Sequence, residues 1–69
     1  MGKHYFIMLN FCKTILKKVS FDKYLFKKEL RKSILMLQKK ELMAFKIWCL
    51  SYFGNHRELI IEVFENSSI

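Results

Sequence analysis

Glycine and proline are scarce in this chain of 69 residues, which contains two glycines and no proline. A loop that binds phosphate through backbone amides needs several glycines close together, and Gly2 and Gly54 lie far apart. The sequence therefore excludes that class of nucleotide-binding site. Between Asp22 and Gly54 there is also no glycine, proline, asparagine or aspartate, so helix boundaries in that stretch must be inferred from the pattern of apolar residues.

Cysteine is scarce as well, with only Cys12 and Cys49. Together with His4 and His56 they show none of the short spacings that are typical of metal sites. Cys49 falls on an apolar stripe, where burial keeps a thiol protonated and unreactive. No two carboxylates are placed for acid–base catalysis. We therefore expect free thiols, no metal, no cofactor, no small-molecule substrate and no enzymatic activity.

Long hydrophobic runs are missing too. The apolar stretch "YFIMLNFC" near the N-terminus is too short to cross a bilayer, which takes about 20 residues, and no signal-peptide cleavage site follows it. We expect a cytoplasmic protein that forms one small domain. Within it, residues 4–19 are predicted to form a basic amphipathic helix that either packs its apolar arc onto the domain or lies peripheral to the core. Residues 20–66 are predicted to form the helical core, and residues 67–69 a frayed tail.

Lysine, in contrast, is abundant, and the net charge is +7. Residues 1–40 carry eleven lysines and arginines against two acids, whereas residues 41–69 carry two against four. The chain therefore has a basic front and a mildly acidic end, and such an asymmetry is one of the few compositional signals that point to function. Lys, Phe, Ile, Met, Tyr and Asn make up 35 of the 69 residues. This bias is expected from an AT-rich genome, so the lysine excess alone is weak evidence for nucleic-acid binding.

Apolar residues recur with helical spacing throughout, and no segment alternates as a strand would. We predict an all-α fold, a bundle of three to four helices. The first helix, residues 4–19, has a lysine-rich back that also suits the surface of a membrane, although packing onto the domain needs no lipid. Its apolar arc comprises Tyr5, Met8, Leu9, Phe11, Cys12, Ile15, Leu16 and Val19.

Residues 22–53 form either two helices or one long kinked helix. Ser20 and Asp22 are both suited to cap the start of this region. The apolar stripe rotates by about 100° near Gln38–Lys40, which predicts a boundary there. The segment 41–53 is apolar on nearly all sides, so we expect it to lie at the centre of the fold or beneath a partner.

The stretch "KIWCLSYFGNHRELI", residues 46–60, predicts a tight helical hairpin at Gly54–Asn55. Gly54 is expected to end one helix in the left-handed conformation, and the last helix is expected to begin at His56. Helix-turn-helix DNA-binding motifs have similar turns, but the exposed side of this last helix carries three glutamates. We therefore interpret the turn as a hairpin that closes a core.

Two functions fit these features. The first is a non-catalytic module for protein–protein interaction or oligomerisation, with a homodimer or a larger protein as the partner. Trp, Tyr and Phe most often anchor such interfaces. The candidate interface residues are Phe45, Trp48, Tyr52 and Phe53.

The second function is non-specific binding of a polyanion, either nucleic acid or an anionic membrane surface. It would use a basic face whose candidate residues are Lys27, Lys28, Arg31 and Lys32. The sequence shows no aromatic platform on this face, so base readout is not expected. A short regulator of the toxin or antitoxin type, or an accessory subunit, is a third possibility without a sequence signature.

Overall fold

The chain folds into four α-helices in the computed structural model, which describes the backbone of residues 2–66 and the side chains of residues 7–66. The helices are α1 (Gly2–Val19), α2 (Lys23–Met36), α3 (Lys39–Tyr52) and α4 (Arg57–Asn66). No strand occurs within these residues, so the predicted all-α bundle is confirmed and the helix count is four. The predicted fraying of residues 67–69 lies outside the described residues.

Asp22 caps the start of α2. Its Oδ1 accepts hydrogen bonds from the backbone N–H groups of Tyr24, at 2.9 Å, and Leu25, at 3.2 Å. These are two of the amides that have no partner within the helix. The Ser20 hydroxyl instead donates to the carbonyl of Lys17 in the last turn of α1. Of the two capping candidates, Asp22 is therefore the residue that starts the helix.

The Asp22 cap gives a first testable prediction. Asp22→Ala should lower the free energy of unfolding by about 1 kcal/mol, because two amides lose their acceptor. Urea unfolding followed by circular dichroism measures this loss. Ser20→Ala is the matched control, since it removes only one exposed hydrogen bond. Equal losses in the two variants would contradict the assigned cap.

The boundary between α2 and α3 lies at Leu37 and Gln38, which are both extended with ψ of 154°. The N–H of Leu37 donates to the carbonyl of Ser33 at 2.9 Å and closes α2. The alternative of one long helix is therefore wrong. The break lies at the start of the predicted stretch. Because Leu37 is itself buried, the change of direction adds an apolar side chain to the core.

The connection between α3 and α4 is tight, as predicted, but its backbone conformation differs from the predicted one. Phe53, with φ of −115° and ψ of 60°, ends α3, and its N–H donates to the carbonyl of Cys49. Gly54 then begins a 3-10 turn, Gly54–His56, and does not adopt the left-handed conformation. The prediction for the Gly54 backbone is therefore wrong. The side chain of Phe53 is buried, so the core fixes this turn.

All four helices and both later connections contribute buried apolar side chains to one core. Cys12 and Leu16 of α1 are among the most buried residues, so α1 is part of the bundle and not peripheral to it. On α4, the three glutamates are exposed as predicted. The core residues are Cys12, Leu16, Phe26, Leu30, Ile34, Leu37, Leu42, Phe45, Cys49, Phe53, Ile60, Val63 and Phe64.

Phe26 lies at the junction of two turns. Its ring is 4.9 Å from that of Phe53 in an edge-on arrangement and 4.7 Å from that of His56. His56 Nε2 donates a hydrogen bond to the carbonyl of Ser20 at 3.0 Å, so Nε2 carries the proton. This contact ties the α1–α2 turn to the α3–α4 turn.

Across the described chain, no helix has the length and apolar character needed to span a membrane.

Candidate functional site

The four aromatic interface candidates do not form one exposed surface. Phe45 is 0% exposed and Phe53 is 6% exposed, so both belong to the core and cannot contact a partner in this conformation. That part of the prediction is corrected. Trp48 is half-buried and Tyr52 is exposed, and their rings stack at 5.0 Å. Whether these two contact a partner stays a prediction.

Lysines of α1 already lie over the Trp48–Tyr52 pair. Lys13 Nζ is 5.2 Å from the centroid of the Trp48 ring, and Lys17 Nζ is 5.1 Å from that of Tyr52. Cation–π contacts of this kind contribute about 0.5–1 kcal/mol each at exposed sites. The aromatic side chains of α3 therefore help to hold α1 in place, which makes them poorer candidates for a free interface.

The predicted basic face lies on the outside of α2. Lys28, Arg31 and Lys32 are exposed, whereas Lys27 is half-buried and lines a small cleft together with Val63 and Asn66 of α4. Lys32 Nζ lies 3.6 Å from Glu29 Oε2, so part of its charge is balanced within the helix. The structure thus brings three of the four candidates into one exposed row.

Two exposed aromatic side chains lie at the beginning of this row. Phe21, in the turn before α2, is 82% exposed, and Tyr24 is 75% exposed. Tyr24 and Lys28 are four residues apart, so they are neighbours on the helix surface. No aromatic residue on this face was predicted from the sequence. The spacing of Tyr24, Lys28 and Arg31 was the signal that would have revealed it.

An apolar groove that was not predicted from the sequence lies between α1 and α2. It has a volume of about 520 Å³, and Phe11, Ile15, Val19 and Met36 form its apolar lining. Phe11 is 55% exposed, so more than half of its side chain is open to solvent. The rim of the groove consists of Lys18, Glu29 and Lys32.

The groove arises because α1 carries two adjacent apolar stripes. Leu9, Cys12, Leu16 and Val19 pack against the core. Met8, Phe11 and Ile15, with spacings of three and four residues, form the second stripe, in which Met8 and Phe11 are exposed. Such spacing is typical of a seam between packed helices. The breadth of the predicted apolar arc was therefore the sequence signal for an uncovered face.

Two other surface features are less suited to a ligand. On α3, Met43 and Ile47 are exposed, which shows that α3 is not buried on all sides. These two side chains lie on the convex outer surface of a single helix and form no groove. At the start of α4, a cleft of about 450 Å³ mixes cations with acids, among them Lys23, Arg57 and Glu62. Such a lining selects no single ligand charge.

The buried thiols offer little reactivity. Burial raises the pKa of Cys49 from its ordinary 9.0 to about 12; nearby Lys13 opposes this shift and Cys12 adds to it. A thiol that stays protonated is a poor nucleophile and a poor metal ligand. Among the residues described, no three His, Cys, Asp or Glu side chains are grouped so that they could hold a metal ion.

Comparison with known proteins gives no relative: no family model, no curated protein and no solved structure matches the chain.

Proposed function

We propose that this protein is a non-catalytic helical module that binds a helix of another protein in the α1/α2 groove, the cleft lined by Phe11, Ile15, Val19 and Met36. The observation that carries this proposal is the groove itself. It is concave, its floor is apolar, and two helices form its walls. An amphipathic helix seats its apolar side chains in grooves of this kind.

The side chains of the groove suit such an occupant. A third helix packed on two others completes a local bundle, and the second stripe of α1 offers it a row of contacts. Met36 lines the groove, and the unbranched side chain of methionine adapts to different partner surfaces. Phe11 supplies the aromatic anchor that commonly dominates the binding energy of an interface.

The test is a selection of helical peptides from an unbiased library, followed by affinity measurements on two variants. Phe11→Ser should weaken the selected peptides by about 2 kcal/mol, or roughly 30-fold, because a central aromatic contact is lost. Met43→Ser, which changes a residue that is 73% exposed on α3, is the matched control and should leave affinity within about twofold.

The pattern of these affinities decides the proposal. Peptides that bind both variants equally, or that depend on Met43 and not on Phe11, would contradict the groove as the binding surface. A library that yields no peptide would count against a protein-binding module altogether. Because Phe11 is more than half exposed, we expect the thermal unfolding of Phe11→Ser to differ little from that of the parent chain, which circular dichroism verifies.

Non-specific polyanion binding by the outer face of α2 is the second candidate function. The observation that favours it is the exposure of Phe21 and Tyr24 beside the row formed by Lys28, Arg31 and Lys32. Aromatic rings stack on bases, and cations neutralise phosphates. This candidate predicts binding that weakens steeply with salt, by about 0.9 log unit per log unit of salt for each duplex phosphate neutralised.

Fluorescence anisotropy with a short mixed-sequence DNA duplex at two salt concentrations tests this second candidate. Replacing Lys27, Lys28, Arg31 and Lys32 with glutamine should abolish the binding and its salt dependence. An affinity for the duplex that is unchanged by these substitutions would exclude this face as the binding surface.

A further inference from the structure

The whole net charge of the protein resides in its first 36 residues, which include the two helices that form the groove. Residues 1–36, which include α1 and α2, carry nine lysines and arginines against two acids, a balance of +7. Residues 37–69 carry four of each sign, a balance of zero. The groove therefore lies within the basic half of the molecule, and α3 and α4 add no net charge to it.

The rim of the groove also carries a positive net charge. Lys18 of α1 and Lys32 of α2 line the groove, and Lys32 keeps more than half of its side chain exposed beside Glu29. One acid against two lysines leaves the rim positive. A partner whose apolar stripe is flanked by carboxylates would bring opposite charges together here, whereas a basic partner would bring like charges together.

We infer that the groove binds an acidic amphipathic helix, with its apolar side chains on Phe11, Ile15 and Met36 and its flanking carboxylates near Lys18 and Lys32. This inference rests on the proposed function, since it names the chemistry of the helix that the groove takes. A second copy of this chain fits less well, because residues 1–36 of the two copies each carry a net charge of +7 and would repel each other. An anionic membrane shares the charge but is flat, whereas this site is concave.

The experiment uses one designed peptide of 18 residues, the length of α1, in three versions. All have the same leucine stripe, and the flanking positions are glutamate, glutamine or lysine. Isothermal titration at about 50 mM and about 300 mM salt measures their affinities. We expect the glutamate version to bind about tenfold more tightly than the glutamine version at low salt, the difference to shrink at high salt, and the lysine version to bind most weakly.

Charge reversal at the rim separates the groove from the general charge of the protein. The double variant Lys18→Glu, Lys32→Glu should invert the order, so that the lysine version binds most tightly. The matched control Lys28→Glu, Arg31→Glu changes the net charge by the same amount, but on the outside of α2. It should leave the order of the three peptide affinities unchanged. Inversion in both variants would mean that the rim lysines have no particular role, which would overturn the inference.

The remaining outcomes distinguish this inference from the proposed function. Equal, salt-independent binding of all three peptides that is lost in Phe11→Ser would overturn the acidic partner and leave the groove as a protein-binding site. A salt-resistant dimer that Phe11→Ser dissociates, seen by sedimentation, would assign the groove to a second copy. Failure of all three peptides overturns the inference. If anionic phosphatidylglycerol vesicles then bind and Phe11→Ser prevents it, the groove belongs to lipid and the proposed function falls as well.

Discussion

Phe26→Ala is expected to leave the domain largely unfolded at room temperature. Phe26 is 0% exposed and contacts the rings of Phe53 and His56 at the junction of the two turns. Truncation of a buried phenylalanine typically costs about 3–5 kcal/mol, through lost burial and the cavity that remains. A lone core in a domain of this size supplies only about 3–5 kcal/mol in total, so little net stability would be left.

Phe21→Ala is the matched control, because Phe21 precedes Phe26 by five residues and is 82% exposed. It should change the free energy of unfolding by no more than about 0.5 kcal/mol. Circular dichroism and urea unfolding of the two variants provide the comparison. A cooperative, stable fold in Phe26→Ala would show that the core does not depend on this ring.

The second large effect is a loss of stability at high pH that is caused by one thiol. In the folded protein the pKa of the Cys49 thiol is raised to about 12, whereas in the unfolded chain its pKa returns to the ordinary 9.0. The stabilisation is therefore fully present below pH 9 and is lost as the pH rises towards 12. Over that range it amounts to about 4 kcal/mol, or about 1.4 kcal/mol per pH unit. We expect the domain to unfold within this window.

Urea unfolding at pH 7, 9 and 10.5 measures this dependence, and Cys49→Ala provides its control. The variant should be less stable than the parent chain at pH 7, because it leaves a small cavity, but its stability should fall less steeply above pH 9. Parallel pH profiles for the two proteins would contradict the assignment to Cys49. In the folded parent chain, Cys49 should also resist thiol-modifying reagents at neutral pH.

Local patterns in the sequence predicted the helices well. The rotation of the apolar stripe placed the α2–α3 boundary within the correct few residues, although no turn-forming residue marks it. The capping preference of aspartate identified the start of α2, where Asp22 accepts two backbone hydrogen bonds. These features depend on residues within a few positions of one another, so the sequence contains the information directly.

Exposure was predicted less well, because it depends on which helix lies against which face. Phe45 and Phe53 are of a residue type that commonly anchors interfaces, yet both are buried in the core. Phe11 belonged to an arc that was expected to pack as a whole, yet it lines an open groove. The backbone of Gly54 was also misjudged, because the buried side chain of Phe53 sets that turn.

The sequence by itself determined an all-helical domain, its approximate helix boundaries and a concentration of positive charge in its first half. Only the tertiary structure decided which apolar residues remain exposed. The physical reason is geometric, since packing against a neighbour covers only part of a helix's circumference. On α1 the stripe of Cys12 and Leu16 is covered and that of Phe11 is not. The apolar groove and its lysine rim exist because of that difference.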